Sequence, residues 1–101
     1  MTITKSSGNV FEDLGFEKQE AENLKLRAQL IISLRRYIKE EGLTQAQAAE
    51  RFGVSQPRIS DLVNRKIDLF SIDMLVNLHA AVGLRVRLDV VPATEAARER
   101  A

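Results

Sequence analysis

The chain has no cysteine, no tryptophan, one histidine and two prolines among its 101 residues. Without cysteine there is no disulfide and no thiolate chemistry, which fits a reducing cytosol. His79 has no Cys or second His as a metal partner, so it is expected to be a surface or half-buried helix residue. The glycines Gly8, Gly15, Gly42, Gly53 and Gly83 stand singly, so there is no Gly-rich phosphate loop. No paired carboxylates suggest a pocket. Neither an enzyme nor a cofactor or metal site is expected. No apolar run approaches the roughly 18 residues of a membrane span. The first residues lack the apolar stretch of a signal peptide, so a cytoplasmic location is expected. The length suits one small domain whose core is marginal, so help from a partner subunit is expected.

Net charge is only +1, but the charge is unevenly placed. Residues 1–23 hold two Lys and five acidic residues, a net of −3. Residues 24–67 hold nine Lys/Arg and four acidic residues, a net of +5. Residues 68–91 sum to −1. A basic excess confined to the middle of the chain is the footprint of a nucleic-acid-binding module.

That middle contains two short helices and a tight turn. Thr44 can cap the first helix, with Gln47 completing a capping box. Ala48, Ala49 and Phe52 fall on one face. Gly53 stands where a helix end favours positive φ. Val54 is a candidate for a buried turn, and Ser55 caps the second helix. Pro57 lies in its first turn, where the missing N–H costs nothing, so the Ser55 hydroxyl must cap Arg58 N–H. Ile59 and Leu62 point inward. Gln56, Arg58, Ser60 and Asp61 are left outward.

Around this pair the chain reads as follows. Residues 1–16 form an N-terminal arm, mobile over 1–8. Val10, Phe11, Leu14 and Phe16 are too apolar for a free tail, so they dock on the domain or await another protein. Residues 17–41 repeat apolar positions every three or four residues, namely Ala21, Leu24, Ala28, Ile31, Leu34 or Arg35, and Ile38. Arg35, Arg36 and Lys39 form a solvated face of this long helix, from which one side chain can reach phosphate. After a connector over 67–70, Ser71 caps a further helix with Phe70 and Leu75 as a staple. Ile72, Leu75, Leu78 and Val82 face its core, and Gly83 ends it.

From Leu84 the period changes to two. Leu84, Val86, Leu88 and Val90 alternate with Arg85, Arg87 and Asp89, which predicts a half-buried strand over 84–91. The chain offers no second good strand. A two-fold homodimer joined through 84–91 is therefore expected, with Leu84, Val86, Arg87, Leu88, Asp89 and Val90 at the interface. Residues 92–101 form a polar tail.

The stretch 44–66 resembles the helix-turn-helix of the phage-repressor (Xre/Cro) family. Counting from Gln45, the family places a small residue fifth, Gly ninth and a β-branched apolar residue fifteenth, which are Ala49, Gly53 and Ile59. Where the family usually has Gly after Asn64 this chain has Arg65, and Asn64 itself tolerates a left-handed backbone. The resemblance implies a mainly α, lambda-repressor-like bundle of four to five helices over 17–91, with one C-terminal β-strand pairing across a dimer. Residues 9–91 as a whole resemble HigA-type antitoxins, encoded beside a toxin. That implies a dimer that binds double-stranded operator DNA, represses its own operon and sequesters a toxin protein. The alternative is a free-standing regulator of the same layout with no toxin partner.

In this fold the first turn of the second motif helix enters the major groove. Gln56, Arg58, Ser60 and Asp61 are thus the candidate base readers, Gln suiting adenine and Arg suiting guanine. Asp61 could instead only orient Arg58 or Arg65. Gln45, Ser55, Arg65 and Lys66 are the candidate phosphate contacts.

Overall fold

The computed structural model describes residues 9–92. The expectations for 1–8 and for the tail after Pro92 lie outside the described residues. The elements in chain order are α1 (Val10–Asp13), α2 (Lys18–Glu40), α3 (Gln45–Phe52), α4 (Gln56–Val63), a 3₁₀ turn (Ile67–Leu69) and α5 (Ile72–Ala81).

The long helix α2 supplies the spine. Ala21, Ile31, Leu34 and Ile38 are buried along it, while Leu24 and Ala28 are half-buried. Its 23 residues span about 35 Å at 1.5 Å per residue. Gly42 then turns the chain at φ 65°. The core joins α2 to every later helix: Ile31, Leu34, Ile38, Ala48, Ala49, Phe52, Ile59, Leu62, Phe70, Leu75 and Leu78 form one cluster. Phe70 and Leu75, placed by sequence as a staple, are both inside it. Tyr37 meets Phe52 edge-on at 5.7 Å between ring centroids, a favoured aromatic geometry.

The helix ends follow their cap chemistry. Thr44 Oγ1 accepts from Gln47 N–H at 3.1 Å and Gln47 Oε1 accepts from Thr44 N–H at 2.9 Å, completing the capping box. Gly53 takes the left-handed conformation, φ 74°. Ser55 Oγ accepts from Arg58 N–H at 3.2 Å, past Pro57. Ser71 caps α5 through Met74 N–H. Gly83, at φ 81°, ends that helix, and Leu84 N–H donates to the His79 carbonyl at 2.9 Å.

The segment around α1 docks on α2, and buried Asn9 anchors it. Asn9 accepts from the Phe11 and Glu12 N–H groups and donates from Nδ2 to the Ala21 carbonyl at 2.9 Å. Phe11 and Phe16 meet edge-on. Yet Val10, Leu14 and Phe16 stay 60%, 70% and 41% exposed, so docking leaves an apolar patch uncovered.

Three expectations need correction. No hydrogen-bonded strand forms among the described residues: 84–91 continues without a ladder. A ladder needs a second edge, and one chain supplies none here. Leu88 and Val90, expected to be half-buried, are 82% and 94% exposed for the same reason. His79 is buried, neither a surface nor a half-buried residue. Its Nδ1 lies 2.7 Å from the Leu75 carbonyl, which can only accept, so Nδ1–H donates, and Nε2 lies 3.0 Å from Ser33 Oγ. These two bonds satisfy the ring and pin α5 to α2.

Candidate nucleic-acid interface

The two motif helices meet with Ala48, Ala49 and Phe52 of α3 and Ile59 and Leu62 of α4 buried. Burying the inner side of α4 fixes which side faces out. Gln56, its first residue, is exposed, and Pro57 beside it has no N–H to satisfy. Ser60 and Asp61 are partly exposed one turn further along. Ser60 Oγ lies 3.4 Å from Asn64 Nδ2.

Arg58 does not project freely from α4. Its Nη1 donates to the Leu69 carbonyl at 3.2 Å, and its guanidinium lies over the Phe70 ring, 5.3 Å from the centroid. The orienting partner is thus the connector, not Asp61. A guanidinium stacked on an aromatic face is held in plane, and its remaining N–H donors stay available.

The phosphate candidates lie at the two ends of the motif. Gln45 is exposed as the first residue of α3. Ser55 Oγ accepts the Arg58 N–H, which leaves its own O–H free to donate. Arg65 and Lys66 are exposed in the turn after α4. Here the left-handed residue is Arg65, at φ 58°, and not Asn64, which sits at φ −86°. The tight turn therefore survives without glycine: Arg65 N–H donates to the Leu62 carbonyl at 3.0 Å and Lys66 N–H to the Asp61 carbonyl at 3.1 Å.

Sequence reasoning missed Arg27. From α2 its Nη1 donates to the carbonyls of Ile67 and Phe70, at 3.2 and 3.3 Å, while Nε bonds Asn23 Oδ1 at 2.7 Å. No sequence signal marks such a clamp, because its acceptors are backbone atoms some 40 residues away. Arg51, at the end of α3, is also committed. It donates to the Tyr37 hydroxyl and to Glu41 at 3.0 Å, and those two groups, the tyrosine first, hold its pKa above the ordinary arginine value.

With this geometry a family assignment becomes specific. A model of a helix-turn-helix domain matches residues 10–91. The chain belongs to the helix-turn-helix domain family. That span takes in all five helices and the segment beyond Gly83. A solved chain named "Putative XRE Family Transcriptional Regulator" shares 33% identity and superposes with a TM-score of 0.68, over 72% of this chain and 82% of that one. No curated protein matches the chain. The architecture is thus a mainly helical, XRE-like helix-turn-helix fold, built around a known DNA-docking motif. No helix among the described residues is long and apolar enough to cross a membrane.

Proposed function

We propose that this protein is a transcriptional regulator that binds operator DNA sequence-specifically as a two-fold dimer. One observation carries the reading. The inner side of α4 is buried, so its first turn presents Gln56 and the cap hydroxyl of Ser55 outward, while Arg65 and Lys66 follow its last turn. Polar readers on one helix, with phosphate donors before and after it, match how such a helix seats in the major groove. Gln56 is the first base reader, pairing with adenine N6 and N7. Arg58 reads guanine with the donors left free by Leu69. Ser60 and Asp61 contribute at the next step, and Gln45, Ser55, Arg65 and Lys66 take phosphates.

Dimerisation runs through 84–91. In an antiparallel pair about Leu88, Leu88 faces its own copy, Val86 faces Val90 and Arg87 faces Asp89. Shifting the centre to Arg87 would oppose two arginines, which costs stability. The exposure of Leu88 and Val90 supports this reading, because pairing would cover them.

Antitoxin function is the finer reading. It rests on the resemblance of 9–91 to HigA-type proteins, and the uncovered Val10, Leu14 and Phe16 would suit a protein partner such as a toxin. A free-standing regulator is the alternative. A reading frame of toxin size beside the gene would separate them.

Binding-site selection tests the DNA reading. Wild-type protein should return a palindromic motif with half-sites about 34 Å apart or a multiple of that, and Gln56→Ala should relax one base position per half-site. A motif unchanged by both Gln56→Ala and Arg58→Ala would refute the assignment of base readers.

A further inference from the structure

A groove of about 450 Å³ runs between α2 and the last turn of α4, lined by Ile32, Arg35, Arg36, Ile38, Lys39 and Val63. Its floor is aliphatic and its three polar residues are all cationic. Among the described residues, none of these three side chains has a hydrogen-bond or ion-pair partner, and Arg35 Nε is buried without one. A buried guanidinium N–H with no acceptor is costly, and such a group calls for an explanation, of which an ion or water that completes it is one. The acceptor that suits three converging cations is an anion with several oxygens. Position identifies its source. Val63 lies seven residues beyond Gln56 on α4, which is about 10 Å along the axis. A duplex read by Gln56 would therefore carry its backbone close to this groove.

We infer that Arg35, Arg36 and Lys39 form a second phosphate seat, which takes the DNA backbone flanking the bases that α4 reads. The inference rests on the DNA-binding reading and extends its footprint to α2, outside the helix-turn-helix. The apolar floor of Ile32, Ile38 and Val63 supports the methylene stems of the cations, so their heads are held rather than free.

The test is the salt dependence of binding to a labelled random-sequence duplex of about 20–25 base pairs, long enough for both half-sites. Each phosphate contact contributes about −0.9 to the slope of log affinity against log salt. Arg36→Gln/Lys39→Gln, both at exposed positions, should make the slope shallower by about 0.9 per cation removed and per protomer bound. The selected base motif should stay unchanged. Lys18→Gln is the control: it removes an exposed charge about 27–32 Å from Arg36 and Lys39 along α2 and should leave the slope as it is. Arg35→Gln should also lower the slope, whereas Arg35→Lys should retain it. A slope for Arg36→Gln/Lys39→Gln equal to that of Lys18→Gln would overturn this seat while leaving DNA binding intact. An equal loss for Arg35→Lys and Arg35→Gln would mean that Arg35 acts structurally. Failure of the wild-type protein to bind any duplex would sink both readings together.

Discussion

Arg65 holds a backbone conformation that its side chain disfavours, and removing that side chain separates two of its roles. At φ 58° an L-residue bears a penalty of about 1–2 kcal/mol from Cβ against the following carbonyl. Glycine has no Cβ and escapes it. Against that gain, glycine gives the unfolded chain more freedom, worth about 0.4–1 kcal/mol. The Arg65 side chain is exposed and makes no hydrogen bond or ion pair among the described residues, so no contact is lost. Arg65→Gly should therefore stabilise the fold by up to about 1.6 kcal/mol, each kcal/mol raising Tm by about 4–8 °C for a domain of this size. Arg65→Ala keeps the strained backbone and should move Tm little. If Arg65 takes a phosphate, both variants lose the same slope of log affinity against log salt, about 0.9 per protomer bound. Thermal unfolding by circular dichroism and duplex binding by fluorescence anisotropy read the two effects apart. A Tm for Arg65→Gly below that of Arg65→Ala would refute the strain argument, because glycine could lose only if left-handed backbone were no burden at this position.

Ile59→Ala should cost about 2–5 kcal/mol, since the side chain is wholly buried beneath α4 and leaves a cavity; urea unfolding should show it, with the loss of DNA binding following the loss of fold. Ser55→Ala removes the cap of Arg58 N–H and should destabilise by about 0.5–2 kcal/mol, again read in urea. Asn9→Ala breaks both the α1 cap and the bond to the Ala21 carbonyl, so amide exchange over 10–14 should speed up while the amides of α4 stay protected. Leu88→Asp puts two carboxylates at the proposed two-fold centre and should shift sedimentation toward the monomer; an unchanged dimer would place the interface elsewhere.

Much of this fold is written in short-range chemistry. The capping box at Thr44, the left-handed Gly53, the Ser55 cap beyond Pro57 and the buried Ile59 and Leu62 all depend on residues within four positions of one another, and sequence shows these directly. The same holds for the apolar stripe of α2, where period marks Ala21, Ile31 and Ile38 but leaves Leu34 and Arg35 as alternatives, between which packing selects Leu34. What sequence did not show is long-range and polar. Arg58 bonds a carbonyl 11 residues on and Arg27 one that is 43 residues on. Any exposed arginine has the reach for such bonds, and backbone carbonyls have no side-chain signature. His79 was misplaced for a related reason: its burial is made acceptable by Leu75 O, visible from helix spacing, and by Ser33 Oγ, which only the packing of α5 on α2 brings near. The strand over 84–91 has its period in the sequence, but a ladder belongs to two edges and one chain holds a single edge.

The two arginines whose long-range contacts sequence did not show bear on the same connector. Arg27 approaches it from α2 and Arg58 from α4, and together they hold the carbonyls of Ile67, Leu69 and Phe70. Arg65 and Lys66 lie just before it. A loop fixed at one end by α4 alone would have to be ordered on binding, losing backbone entropy at the moment of contact. Clamped from both sides, it presents its two cations already in place relative to Gln56. The stack of Arg58 on Phe70 adds a further constraint, because Phe70 is itself in the core. Any reading of guanine by Arg58 is thereby coupled to the placement of the turn proposed to take phosphates, and Phe70→Leu should disturb both together, where Lys66→Ala should weaken all sequences alike.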